Sequence, residues 1–100
     1  KRQFMDYATP TTADYARLVA ESMRGAEALL MRNHGTVTVG ANLEQAFQRT
    51  ELLEDFARLV LVARLLGGPQ PLPEGEVERL RTLDAERLRM RLARELYEQP

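Results

Sequence analysis

Residues able to do chemistry are sparse in this chain of 100, and His34, the single histidine, stands apart from the rest. It lies in Asn33-His34-Gly35, at the junction of two runs with strand character, Ala28-Leu29-Leu30-Met31 and Thr36-Val37-Thr38-Val39. An imidazole on a tight turn between strands presents one metal ligand or one general base to a cleft. A catalytic metal site usually draws three protein ligands, so one histidine is an incomplete set. Neither His-x-His nor His-Glu-x-x-His occurs, and spacing therefore supplies no second ligand. The plainer reading of a lone turn histidine is a local hydrogen bond, and the residues by themselves leave both readings open.

The remaining candidates carry less. Glu44, Glu51, Glu54 and Asp55 fall on one long helical pattern, where carboxylates can orient a ligand or move a proton. On a charged helical face their ordinary role is solvation. The interval from Gly35 to Gly40 lacks the Lys-Ser/Thr of a phosphate loop, so both read as turn glycines. Arg87, Arg89, Arg91 and Arg94 make the last helix locally basic, but Glu86 and Glu95 dilute the patch and no aromatic residues interleave for base stacking. A solvated face or a subunit contact is the better reading. Tyr97 is a candidate proton donor toward a neighbouring active site, against the plainer role of a packing residue near a helix end.

The elements that must position His34 follow from periodicity and punctuation. No clear period runs through residues 1–10. Thr11 or Thr12 caps a helix with Tyr15, Leu18, Val19, Ser22 and Met23 on one face, Asp14 stands where a capping box reciprocates, and Gly25 is the expected C′ residue. Leu29-Leu30-Met31 is unbroken apolar, which suits a strand covered on both faces, whereas Thr36–Val39 alternates. Asn33 and Gly35 both tolerate positive φ, and so short a link demands an antiparallel pair. Gly40 ends the second strand, and Asn42 caps the long helix with Gln45 returning the bond. Its apolar stripe runs from Leu43 through Phe47, Leu53 and Ala57 to Leu65, with Thr50 the polar exception. From Leu59 it is apolar on more than one side, which predicts burial between two partners. Gly67-Gly68-Pro69 stops it, Pro71 and Pro73 mark a stiff linker, and a last helix spans about Glu74 to Tyr97 with a break near Asp84–Glu86.

Composition narrows the classes. The 14 basic and 15 acidic side chains leave a net charge of -1, which makes no electrostatic case for nucleic acid. With no cysteine there is no disulfide framework and no thiolate metal site, in keeping with a reducing, cytoplasmic setting. The longest apolar stretch, Leu59 to Leu66, is interrupted by Arg64 and falls far short of the roughly 20 residues that span a bilayer. No signal peptide is recognisable. The chain opens at Lys1 and halts at Pro100 just after a helical pattern, so it is expected to be a fragment or a processed piece.

From Ala28 to Gly68 the sequence resembles the C-terminal half of the class II aldolase/adducin family. The stretch Ala28-Leu29-Leu30-Met31-Arg32-Asn33-His34-Gly35 carries the likeness, with Thr36 to Ala46 following, a long helix bearing Glu51 and Glu54, and the Gly67-Gly68 stop. Upstream, Tyr7-Ala8-Thr9-Pro10-Thr11-Thr12 resembles the segment that enters this half, so the likeness covers about Tyr7 to Leu80. It implies an α/β fold, the C-terminal part of a three-layer α/β/α domain with a largely antiparallel sheet, seen here as helix, two short strands, long helix and C-terminal helix. Residues 1–100 would then be one fragment of a single domain. It also implies a homotetramer and a divalent metal, commonly zinc, on three histidines, of which His34 matches the third. The His-x-His pair, the acid/base glutamate and the phosphate-binding groups of the family are absent. Tyr97 weakly matches a C-terminal tyrosine that some members bring to the neighbouring subunit's site. The expected function is that of a metal-dependent aldolase acting on a small sugar phosphate or related hydroxy-carbonyl compound, with the 100 residues inactive alone. The alternatives are an adducin-like interaction module without chemistry and an epimerase or dehydratase on the same scaffold.

Overall fold

The computed structural model describes residues 4–98; Lys1 and Pro100, on which the expectation of a fragment rests, lie outside them. The described residues form a mixed α/β structure with elements in the order β1 (Phe4–Met5), α1 (Ala13–Ser22), β2 (Ala28–Met31), β3 (Gly35–Thr38), α2 (Leu43–Leu65), α3 (Glu76–Thr82) and α4 (Asp84–Tyr97). They divide into two compact units, one ending at Phe56 and the other beginning at Ala57.

In the first unit, Thr12 is extended and its hydroxyl accepts the Tyr15 N–H at 3.1 Å, satisfying one orphan donor of α1. Asp14 does not return the bond; it pairs with Arg17 at 3.4 Å. Gly25 adopts φ 67°, but two residues past the Met23 cap instead of directly after it. The intervening turn closes by an Ala26 N–H bond to the Met23 carbonyl at 2.9 Å.

The sheet order is β1-β2-β3. β2 and β3 pair antiparallel, as the short link requires, with Leu29 opposite Val37 and Met31 opposite Gly35. β1 was not foreseen, because two residues carry no period, and it pairs parallel to β2 with Met5 opposite Met31. The described sheet is therefore mixed. Side chains alternate across it, so Met5, Leu29 and Met31 share one face, where they form the buried core. Tyr15, Leu18, Val19 and Met23 of α1 pack there with Val37. The unbroken run at Leu29–Met31 predicts burial on both faces; Leu30, on the opposite face, is half-buried.

That opposite face meets the first turns of α2 through polar bonds. The Thr38 hydroxyl donates to the Ala46 carbonyl at 2.8 Å and lies 2.7 Å from the Thr50 hydroxyl. Thr50 interrupts the apolar stripe of α2 because it hydrogen-bonds to the sheet. Arg49 adds a bond to the Val39 carbonyl and an ion pair with Glu27 at 3.0 Å. The cap forms as expected, with the Gln45 N–H donating to Asn42 Oδ1 at 2.9 Å, while Gln45 Oε1 accepts from the Ala41 N–H at 2.7 Å, one residue upstream of the cap. At Gly40 a Cβ would lie 2.7 Å from the Ala46 nitrogen, so only glycine permits this approach.

In the second unit, α2 ends where Gly67-Gly68 predicts. Gly67 and Gly68 have φ 113° and 107°, and the Gly68 N–H reaches back to the Ala63 carbonyl at 2.8 Å, as in a Schellman closure. The expected last helix is two helices. Gly75, at φ 80°, caps α3, and Leu83 in extended conformation separates α3 from α4, one residue before the predicted break. Within α4 the Arg89 guanidinium hydrogen-bonds Glu86 at 2.8 Å and holds that carboxyl below its ordinary pKa. A depressed carboxylate stabilises the folded helix above its unfolded pKa, and the contribution is lost as pH falls through the folded value. Leu88, Leu92 and Leu96 of α4, and Leu59, Leu61 and Leu65 of α2, are exposed. No helix among the described residues is long and apolar enough to cross a membrane.

The close approach at Gly40 gives a paired test. Gly40→Ala is expected to destabilise the protein by about 1–3 kcal/mol, the usual range for overpacking against fixed backbone. Gly35→Ala meets no atom within 4 Å and has no positive φ, so its urea midpoint should stay close to that of the parent.

Candidate functional site

His34 stands last in the reversal Arg32-Asn33-His34 that joins β2 to β3. Its N–H donates to the Met31 carbonyl at 3.2 Å, closing a four-residue turn. Asn33, third in that turn, takes φ 57°, where a left-handed residue is required and asparagine is tolerated. Gly35 has no positive φ, so of the two residues expected to supply that freedom only Asn33 does. Arg32 ties the turn to β1: its N–H donates to the Met5 carbonyl at 3.1 Å, and its guanidinium faces Asp6 at 3.5 Å. That ion pair is exposed at both ends and adds little; the backbone bond fixes the turn.

The His34 side chain is exposed and makes no hydrogen bond among the described residues, while its backbone N–H makes the local bond of the plain reading. Beside the imidazole lies the ring of Tyr15, edge-on at 5.5 Å between centroids with 64° between planes. Aromatic pairs of this kind contribute about 0.5–1.5 kcal/mol beyond burial. The Tyr15 hydroxyl in turn lies 2.9 Å from Met31 Sδ. Periodicity marked Tyr15 as an apolar member of α1, and nothing in its spacing from His34 signals the contact, which arises only when α1 folds onto the sheet.

No group of three or more His, Cys, Asp or Glu comes together among the described residues. Glu44, Glu51, Glu54 and Asp55 are exposed on α2, with Glu44 bonded to Gln48 at 3.5 Å. Tyr97 closes α4 in the second unit, half-buried, beside Leu96 and Leu92. His34 belongs to the first unit. The chemistry of His34 fits one metal donor: an accessible imidazole, a turn with fixed backbone, and ring nitrogens that no hydrogen bond among the described residues engages. One imidazole holds no catalytic ion by itself.

A model of the family described as "Class II Aldolase and Adducin N-terminal domain" matches residues 2–61, a span that includes the sheet, the His34 turn and most of α2. A Streptomyces roseochromogenus subsp. oscitans protein, 4-hydroxy-3-prenylphenylpyruvate oxygenase/4-hydroxy-3-prenylbenzoate synthase, is 41% identical over 78 residues, which is 77% of this chain and 28% of that protein. The 5-deoxy-D-ribulose 1-phosphate aldolase of Bacillus thuringiensis serovar kurstaki is 34% identical over 74 residues, 74% of this chain and 35% of the relative. An L-fuculose phosphate aldolase of Methanococcus maripaludis is 32% identical over 59 residues, 59% of this chain and 32% of the relative. The chain thus spans about a third of the length of these relatives. No solved structure matches it.

The turn geometry is testable directly. Asn33→Gly should leave thermal stability near that of the parent, since glycine adopts φ 57° freely. Asn33→Val should cost about 1–2 kcal/mol, because a β-branched residue resists the left-handed region. Equal melting temperatures for the two variants would show that the left-handed turn is not needed.

Proposed function

The chain belongs to the class II aldolase and adducin family, and from that premise we propose that it is part of a divalent-metal-dependent aldolase, a lyase acting on a small sugar phosphate or related hydroxy-carbonyl compound. The observation that carries this reading is the exposed imidazole of His34 on a backbone-fixed hairpin turn, inside the span matched by the family. The aldolase names of the Bacillus and Methanococcus relatives support the reaction class.

In this reading His34 is one ligand of a zinc-like ion, and the other donors come from residues other than the described ones. A bound divalent ion acts as a Lewis acid toward substrate oxygens and stabilises charge that develops as a carbon–carbon bond breaks. The work of this chain is to hold the imidazole in place. The turn sets the His34 backbone through the Met31 carbonyl, and the core residues Leu29 and Met31 fix the strand from which the turn departs. The placement of α1 on one sheet face and the bonds from α2 to the other support a three-layer α/β/α domain. A cytoplasmic homo-oligomer completes the proposal, with Tyr97 as the candidate proton donor to a neighbouring copy's site.

A second reading rests on a specific observation: the Streptomyces oxygenase/synthase shares more identity with this chain than the two aldolases do. The same His34 ligand would then serve an oxygenase, with dioxygen as co-substrate. Assay of the protein that carries this chain, with and without dioxygen, separates the two. The aldolase reading predicts reversible cleavage of a sugar phosphate that continues under anaerobic conditions; the oxygenase reading predicts turnover that stops there.

His34→Ala in that protein is expected to lower zinc retention at least tenfold, as loss of a direct ligand should exceed the roughly 10–100-fold cost of losing an outer-shell partner, while circular dichroism stays that of the parent. Unchanged metal content by elemental analysis would remove His34 from the ligand set.

A further inference from the structure

Ligand histidines are commonly oriented by a hydrogen bond from the second ring nitrogen to a carboxylate or carbonyl. The His34 ring makes no such bond among the described residues, and the ring beside it is that of Tyr15. Tyr15 is itself held at three points. Its N–H is capped by Thr12 Oγ1 at 3.1 Å, its ring packs against the buried cluster of Met5, Leu29 and Met31, and its hydroxyl lies 2.9 Å from Met31 Sδ. Met31 also supplies the carbonyl that accepts the His34 N–H at 3.2 Å. One buried residue thus fixes the backbone of His34 and, through sulfur, the ring that borders its imidazole.

We propose that Tyr15 is a positioning residue for His34: its edge-on ring restricts rotation of the exposed imidazole and so orders it before any ligand arrives. An exposed imidazole on a turn otherwise samples several rotamers, and binding then pays for the ordering. A ring anchored to the core removes part of that cost, which is how supporting shells preorganise a site. Packing against the core holds the tyrosine ring at the core boundary, and the hydroxyl-to-sulfur contact adds to it. The neighbouring α1 residues Leu18 and Val19 pack on the same core. The inference rests on the reading of His34 as a ligand for its purpose, although the contact itself does not.

The test uses the metal-free form of the protein that carries this chain, and proton NMR. Cross-peaks between the Tyr15 ring protons and the His34 ring protons are expected, with His34 side-chain couplings of a single dominant rotamer. Tyr15→Phe should retain the cross-peaks. Tyr15→Leu, which keeps apolar volume against Met31, should lose the ring-current displacement of the His34 resonances and give averaged couplings, with β2 and β3 amide shifts unchanged. Averaged His34 couplings in the unsubstituted chain, or couplings unmoved by Tyr15→Leu, would overturn the proposal, and the first of these needs no variant to fold. In the protein that carries the chain, Tyr15→Leu should weaken zinc affinity about tenfold, and Tyr15→Phe should restore it. Parent affinity in Tyr15→Leu would overturn the role toward metal. Failure of His34→Ala to alter metal content would instead overturn the ligand reading, and the NMR result would still decide whether Tyr15 orders the ring.

Discussion

Burial of Met31 is the constraint on which the rest of the first unit depends. Its side chain is sealed between the sheet and α1, its carbonyl closes the turn that carries His34, and its sulfur meets the Tyr15 hydroxyl. Because strand side chains alternate, burying Met31 also decides that Leu29 faces inward and that Leu30 and Ala28 face the α2 side. A slip of one residue in β2 would reverse every one of these assignments. The antiparallel register with β3, from Ala28 opposite Thr38 to Met31 opposite Gly35, prevents that slip. The position of the one histidine is therefore a consequence of core packing as much as of the turn.

The buried core among the described residues is small: Met5, Leu29 and Met31. Truncating one such side chain typically costs about 2–5 kcal/mol, a large share of the marginal stability of any domain. Polar bonds carry much of the attachment of α2, through Thr38, Thr50, Arg49 and the Gly40 approach. In the second unit, the exposed leucines of α2 and α4 leave apolar surface of the kind that ordinarily marks a contact. The apolar pattern after Leu59 leads one to expect burial between two partners; among the described residues that stretch of α2 is exposed.

Much of the local structure of both units was legible in the sequence. The Thr12 and Asn42 caps, the hairpin with His34 on its bend, the Gly67-Gly68 stop and the Pro71–Pro73 linker are all local signals, written in residues a few positions apart. What escaped was non-local. β1 is two residues long and exists because it pairs with β2 some 26 positions away, from Phe4 to Leu30. Thr50 reads as a flaw in a helix stripe until Thr38 is placed opposite it. The break in the last helix, by contrast, is expected near Asp84–Glu86 and lies one residue earlier, at the extended Leu83. Of the proposed site the sequence offers His34 as a candidate; Tyr15, 19 positions earlier in the chain, becomes its neighbour only through α1 packing. The family resemblance read from Asn33-His34-Gly35 and its flanks agrees with the family match over residues 2–61.

The central claim is that the hairpin turn presents the His34 imidazole as one ligand of a metal centre shared with other parts of the protein. Crystallographic data collected at the zinc absorption edge, on the zinc-loaded protein that carries this chain, test it most directly. The account predicts an anomalous peak about 2.0–2.1 Å from one ring nitrogen of His34, the ordinary zinc–imidazole distance, with the Tyr15 ring still edge-on to the imidazole. A metal peak elsewhere with the His34 ring turned to solvent would contradict it.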